Sequence, residues 1–343
     1  MVAADFLRSM PKVELHVHLE GSTRPETLLR LAKKHGKTLP ADTVEGLRDW
    51  YHFRDFPHFA QIYWACAECF RHPEDIEEIT RDFLIGQKEQ NILHSEATYT
   101  PLTQYRQCGL AFDDQIEAIN RARAWGEREL GITMSLTIDL PRELCTEEEG
   151  LMCADWAISA FGHGVSAFGL GGYEVGFPPE MFVKAFDRAR EAGMPSVPHA
   201  GETGGPESIW GSLRALGAQR IGHGIRALED PELVEHLRET QVTLEVCPSS
   251  NVRLGVVDSL ERHPLPRLIE AGLNVTVNSD DPPMFSTTLT DEWIRCATAF
   301  GWDLATVRKL SMNAVESALV SQDRRRALAD AMSAAFEEAG VPS

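Results

Sequence analysis

Eight short β-rich runs, most of them separated by one amphipathic helical pattern, constrain this chain more than any other feature. The runs are VELHVH (13–18), ILHSEATYT (92–100), ITMSLTIDL (132–140), VSAFGLGG (165–172), PSVPHAG (195–201), RIGHG (220–224), VTLEVCP (242–248) and NVTVNSDD (274–281). Segments such as DDQIEAINRARAWGEREL and DPELVEHLRE carry the helical spacing between them. Strand–helix alternation argues for a parallel sheet, and eight such units for a closed barrel. The expected fold is α/β, a single-domain (β/α)8 TIM-type barrel over residues 1–343. The interval from about 22 to 91 is longer and opens with RPETLLRLAKKHG; it reads as a helical insertion after the first strand. A C-terminal helix is expected over about 321–343.

Length alone would allow two domains, but no low-complexity linker interrupts the 343 residues, and 43% hydrophobic content is ample for one large core. The formal charge of -19 argues against nucleic acid or an anionic membrane as partner. No run approaches a membrane span, and the first residues lack a signal-peptide pattern. Seven cysteines without framework spacing read as reduced thiols, which points to the cytoplasm. Cys66 and Cys69 form a CxxC within the helical pattern HFAQIYWACAECF and are expected as buried helix residues rather than a redox or zinc pair. Oligomeric state is left open.

Chemistry concentrates where the strands end. In KVELHVHLEG, Val13, Leu15 and Val17 alternate with Glu14, His16 and His18, so the two histidines share a strand face. His199 with Glu202 follows the fifth strand, His223 the sixth, and Asp280 with Asp281 the eighth. In a parallel barrel these ends open onto one face, where catalytic groups from different strands gather. Three histidines and a carboxylate suit a zinc-like divalent metal with one position left for water. Each residue alone has a plainer reading: a structural histidine, a turn-starting Asp-Pro, a first-turn glutamate. Their shared position favours a site. His35, His52, His58, His72, His94, His163, His236 and His263 lack such placement and are expected as surface or packing residues.

PKVELHVHLEG, HAGET, IGHG and VNSDDPP, in this order, closely resemble the adenosine deaminase family of the amidohydrolase superfamily over about residues 10–320. The resemblance implies a mononuclear zinc barrel that hydrolyses the 6-amino group of adenine-type purines, with one Zn2+ per chain held by His16, His18, His199 and Asp280. It implies Glu202 as proton shuttle, and His223 and Asp280 as the groups orienting the attacking water. Asp281 would meet purine nitrogen 7, Gly172 would offer its amide to nitrogen 3, and His18 and Glu20 would lie on the substrate side. The fourth strand offers no bridging lysine, which favours one metal. A non-catalytic purine- or zinc-binding relative would typically have lost one of these residues, and none is missing.

The departure lies in Phe168-Gly169-Leu170-Gly171-Gly172-Tyr173-Glu174, where Gly169 and Tyr173 replace acidic residues of the adenosine pattern. VGFPPEMF and CPSSNV resemble the adenine-deaminase branch, whereas the glycine-rich strand and GETGGPESIW resemble enzymes acting on 6-aminodeoxyfutalosine, an adenosine-like menaquinone precursor. The expected substrate is an adenosine-type nucleoside, with free adenine and 6-aminodeoxyfutalosine as alternatives. Pocket residues are expected within WYHFRDFPHF (50–59) and TPLTQYRQ (100–107).

Overall fold

A computed structural model describes residues 2–340 of the chain. Its strands are β1 (Lys12–His18), β2 (Ile92–Tyr99), β3 (Thr133–Pro141), β4 (Val165–Gly171), β5 (Ser196–Ala200), β6 (Arg220–His223), β7 (Thr243–Val246) and β8 (Val275–Val277). Each pairs in parallel with the next in chain order, and helices surround them. The barrel closes through a single parallel bridge between Val17 and Asp280.

β8 is shorter than expected, because the chain leaves extended geometry in NSDD. The Asn278 side chain replaces the backbone ladder, accepting from the amides of Leu15 at 3.0 Å and His16 at 3.2 Å. Asp280 then adopts φ +65°, unusual for a residue with a side chain. His18 N–H donates to the Asp280 carbonyl at 2.8 Å, tying the β8 end to the β1 end. The short strand thus trades ladder bonds for a fixed Asp280.

The insertion holds four helices, Pro25–Lys34, Val44–Trp50, Phe56–Ala67 and Pro73–Glu89. Asp55 caps the third by accepting from His58 N–H at 2.9 Å. That helix carries Phe56 and Phe59 to the strand ends, where Phe59 stacks on Phe285 at 5.3 Å and Phe56 meets Tyr173 at 5.5 Å. Cys66 lies in this helix and Cys69 just beyond it; both are buried and free. Burial pushes the Cys69 thiol up to about 11, the wrong direction for a redox thiolate. The C-terminal helix runs Gln322–Glu338, and residues 341–343 of the expected helix lie outside the described residues. Among the described residues, no helix is long and apolar enough to cross a membrane.

Candidate active site

β1 presents His16 and His18 on one face, β5 presents His199, and the bend after β8 presents Asp280. His16 Nδ1–H donates to the Glu245 carboxylate at 3.0 Å, and His199 Nδ1–H to the Leu170 carbonyl at 3.1 Å. Both bonds hold the proton on Nδ1 and leave a lone pair on Nε2. Gly222 makes room for this packing, since a Cβ there would come within 2.7 Å of the His16 ring.

The free nitrogens then converge. His18 Nε2 and His199 Nε2 are 3.1 Å apart, and Asp280 Oδ1 lies 3.4 Å from His18 Nε2 and 3.6 Å from His16 Nε2. His16 Nε2 is buried without a hydrogen-bond partner. Lone pairs crowded in this way favour a cation between them, and imidazole nitrogens with a carboxylate suit a divalent transition metal. Burial holds His18 down to about 4 and His223 to about 3, so both rings are neutral. Burial opposes charge on His16 too, but the Asp280 and Glu245 carboxylates beside it prevail and lift it to about 10. The carboxylates therefore create a field that favours positive charge at this point. The residues fit a metal ion.

Behind the histidines runs a buried chain of charges. Arg220 lies 2.7 Å from Glu245 Oε1 through Nε, a close ion pair whose N–H does not point at the oxygen. Its Nη2 donates to Glu96 Oε2 at 2.7 Å. Burial would raise Glu96, yet the Arg220 charge and His94 hold its carboxyl down to about 2.

Glu202 sits in the loop after β5, and that loop is wound around Glu174. The Glu174 carboxylate accepts from the amides of Gly201, Glu202 and Thr203 at 2.8 Å each, from Gly204 at 3.1 Å, and from the Ser208 hydroxyl. Glu202 is 4% exposed, and its Oε1 has no hydrogen-bond partner. Burial, reinforced by the negative charges of Asp280 and Glu174, pushes its carboxyl well above the usual range. Asp280 goes the other way: burial would raise it, but the adjacent His16 ring, with His223 and His18, holds it well below. A neutral acid and an ionised carboxylate thus share one site, the division of labour that acid–base chemistry requires.

His223 is oriented by a relay. The Leu265 amide donates to His263 Nδ1 at 3.1 Å, so the proton of neutral His263 resides on Nε2. That proton goes to Asn251 Oδ1 at 3.1 Å, which turns the Asn251 NH2 toward His223 Nδ1 at 3.3 Å. His223 must then carry its own proton on Nε2, the atom 3.7 Å from Glu202 and 3.9 Å from Asp280. One backbone amide selects the donor nitrogen of His223 through two side chains, His263 and Asn251. His223 also adopts φ +61°, so its position is held at some conformational cost.

His18, His199, Glu202, His223 and Asp280 line a cavity that Phe56, Phe59, Tyr63 and Trp64 roof from the insertion. Gly172 and Asp281 line it as well. Glu20 does not; it is buried behind the wall with one oxygen bound to the Thr100 amide at 2.9 Å. Of the two expected pocket segments, Phe56, Phe59, Thr100 and Thr103 reach the cavity, whereas Tyr51 packs in the core. His94 and His263, expected as surface or packing residues, belong to the Glu96 pairing and the His223 relay. Glu245, Glu174 and Asn251 had no assigned role in the sequence. Glu245 shows a faint signal, a carboxylate inside an otherwise apolar short strand.

The adenosine deaminase family model matches residues 11–335. The aminodeoxyfutalosine deaminase of Streptomyces coelicolor is 38% identical over 328 residues, covering 95% of this chain and 84% of that protein. The adenine deaminase of Bordetella avium is 38% identical over 317 residues, covering 92% of this chain and 99% of that protein. The crystal structure of an adenine deaminase from Arthrobacter aurescens superposes with a TM-score of 0.91 at 33% identity, covering 97% of this chain and 100% of that one.

Proposed function

The chain belongs to the adenosine deaminase family, hydrolases of the C–N bond in adenine-type purines, and on that premise we propose that it deaminates a 6-aminopurine carrying a substituent at nitrogen 9, aminodeoxyfutalosine foremost. The unsubstituted nucleoside adenosine, expected from the sequence, loses its lead: the similar proteins named above act, by their names, on adenine or aminodeoxyfutalosine. One feature supports the larger substrate. The cavity adjoins a second depression at Phe56, Glu202 and Leu254, which continues past Tyr173 to Arg226. Free adenine is the second reading, favoured by the likeness to the Arthrobacter enzyme over its whole length. A cytoplasmic location fits the seven free cysteines.

In this reading His16, His18, His199 and Asp280 hold one zinc ion, which when bound supplies Lewis-acid activation of water. His223, donating from Nε2, and the ionised Asp280 orient that water toward carbon 6 of the purine. Glu202 gives its proton to ring nitrogen 1, so the ring accepts charge as oxygen adds to carbon 6. The carboxylate so formed takes one proton from the adding water and passes it to the amine, which leaves as ammonia while the remaining hydroxyl proton returns to Glu202 and the 6-oxo product forms. Asp281, pushed well above its usual range by burial and by Asp280, is protonated and donates to nitrogen 7, while Gly172 meets nitrogen 3. The observation that carries the reading is the buried, unpartnered Glu202 oxygen 3.7 Å from His223 and beside the convergent histidines. Zinc-loaded protein should release ammonia from aminodeoxyfutalosine with a higher kcat/KM than from adenine or adenosine. A decisive preference for adenine would replace the first reading with the second, and a lack of turnover on all three would remove both.

A further inference from the structure

Asp139, near the end of β3, is a buried carboxyl that the mechanism above does not use. It is 3% exposed, and its Oδ1 is fully occluded without a hydrogen-bond partner. Arg142, the nearby cation, is engaged elsewhere: it donates to the Phe177 carbonyl at 3.1 Å and to the His199 carbonyl. Burial therefore holds the Asp139 carboxyl well above its usual range. A buried polar group in this condition is unfavourable for stability, which asks for a functional reason.

The neighbouring strand is cut back to admit it. Asp139 pairs in register with Gly169 on β4. A Cβ on Gly169 would come 2.7 Å from Asp139 Oδ1, and one on Gly171 would collide with Oδ2. Neither glycine has positive φ, so backbone freedom does not explain them. They leave a trough in β4 that the Asp139 side chain occupies. Where the adenosine pattern has an acidic residue at the Gly169 position, this chain brings a carboxyl in from the adjacent strand.

Asp139 lines the active-site cavity with Gly172 and Glu143, on the β3–β4 side. The candidate metal ligands and Glu202 come from β1, β5 and the β8 bend. A 6-aminopurine with carbon 6 toward those groups turns its opposite edge, nitrogens 3 and 9, to the β3–β4 wall. We propose that Asp139 is a substrate-binding residue whose carboxyl accepts a hydrogen bond from a donor beside purine nitrogen 3. That donor is N9–H in a free base or the 2′-hydroxyl in a ribosylated purine. The assignment rests on the cavity being a 6-aminopurine site.

Product binding tests it without turnover. Calorimetry on the zinc-loaded protein, wild type against Asp139→Ala and Asp139→Asn, compares hypoxanthine with 9-methylhypoxanthine and inosine with 2′-deoxyinosine. Asp139→Ala should weaken one member of a pair by about 10- to 100-fold and spare the member lacking the donor. Loss on hypoxanthine but not its 9-methyl form identifies N9–H; loss on inosine but not 2′-deoxyinosine identifies the hydroxyl. Asp139→Asn, which keeps an acceptor, should retain most of the affinity. Thermal unfolding should show neither variant below wild type, since the carboxyl has no protein partner to lose. Equal loss on all four ligands, or none on any, overturns the assignment. Ammonia release by the wild type reads the deaminase proposal separately.

Discussion

Two sets of carboxyls are buried in this barrel and are treated oppositely. Glu96 and Glu174 have both oxygens hydrogen-bonded, the first by Arg220 and the Leu319 amide, the second by four backbone amides and a hydroxyl. Glu202, Asp139 and Asp281 each leave an occluded oxygen without a partner. Burial opposes ionisation in both sets. In Glu96 and Glu174 the neighbouring cations and donors win and the carboxyl is held low, whereas in Glu202, Asp139 and Asp281 burial outweighs the nearby cations and each is pushed well up. Of these five carboxyls, the two with both oxygens bonded lie away from the cavity lining, and the three with an unpartnered oxygen line it. Pairing, more than burial, distinguishes the two sets.

The sharpest break between the sets is Glu202→Gln. It should lower kcat by about 10²- to 10⁴-fold while zinc content and melting temperature stay at wild-type values. A variant that lost stability but kept its rate would move Glu202 into the scaffold set. Arg220→Ala should do the reverse. It strands Glu96 and Glu245 as buried charges, and denaturant unfolding should show a loss of about 3–5 kcal/mol. A change below about 1 kcal/mol would mean that the chain of charges is not structural.

Acid titration separates the sets on one protein. Glu96 has a folded pKa of about 2, below its ordinary 4.5, so its contribution is present above pH 4.5 and is lost as pH falls toward 2. That window is worth on the order of 3 kcal/mol, and Glu96→Gln should flatten the slope of stability against pH within it. An unchanged slope would contradict the pairing. Asn251→Asp gives the smallest effect, because it alters a proton position and little else. An aspartate there accepts where the amide donated, so the His223 proton moves to Nδ1. We expect kcat to fall about 10- to 100-fold with KM unchanged and with His263→Gln close to wild type; a KM effect with unchanged kcat would rule out the relay.

Much of the scaffold was legible in the sequence. The eight strands and the long insertion show in the alternation of pattern, because barrel strands are short apolar runs and their helices amphipathic. His16, His18, His199 and Asp280 were legible because each falls at a strand end, and the fold brings those ends together. Where the strand pattern stopped being a guide was NSDD, since Asn278 imitates a backbone ladder with a side chain and Asp280 turns left-handed. Glu174, Asn251, His263 and Asp139 were not legible for a common reason. Their significance lies in what they touch, or fail to touch, across the barrel: Asn251 and His223 are 28 residues apart, Glu174 and Gly201 are 27 apart. Periodicity reports which face a residue occupies, but not whether its hydrogen bonds are satisfied there.

We propose that the unpaired Glu202 carboxyl beside the candidate metal site is what makes this barrel a deaminase. The most direct test follows ammonia release from aminodeoxyfutalosine by wild type and Glu202→Gln at matched zinc content. The wild type should release one ammonia per purine consumed, and the variant should lose about 10²-fold or more of that rate. Equal rates at equal zinc would contradict it.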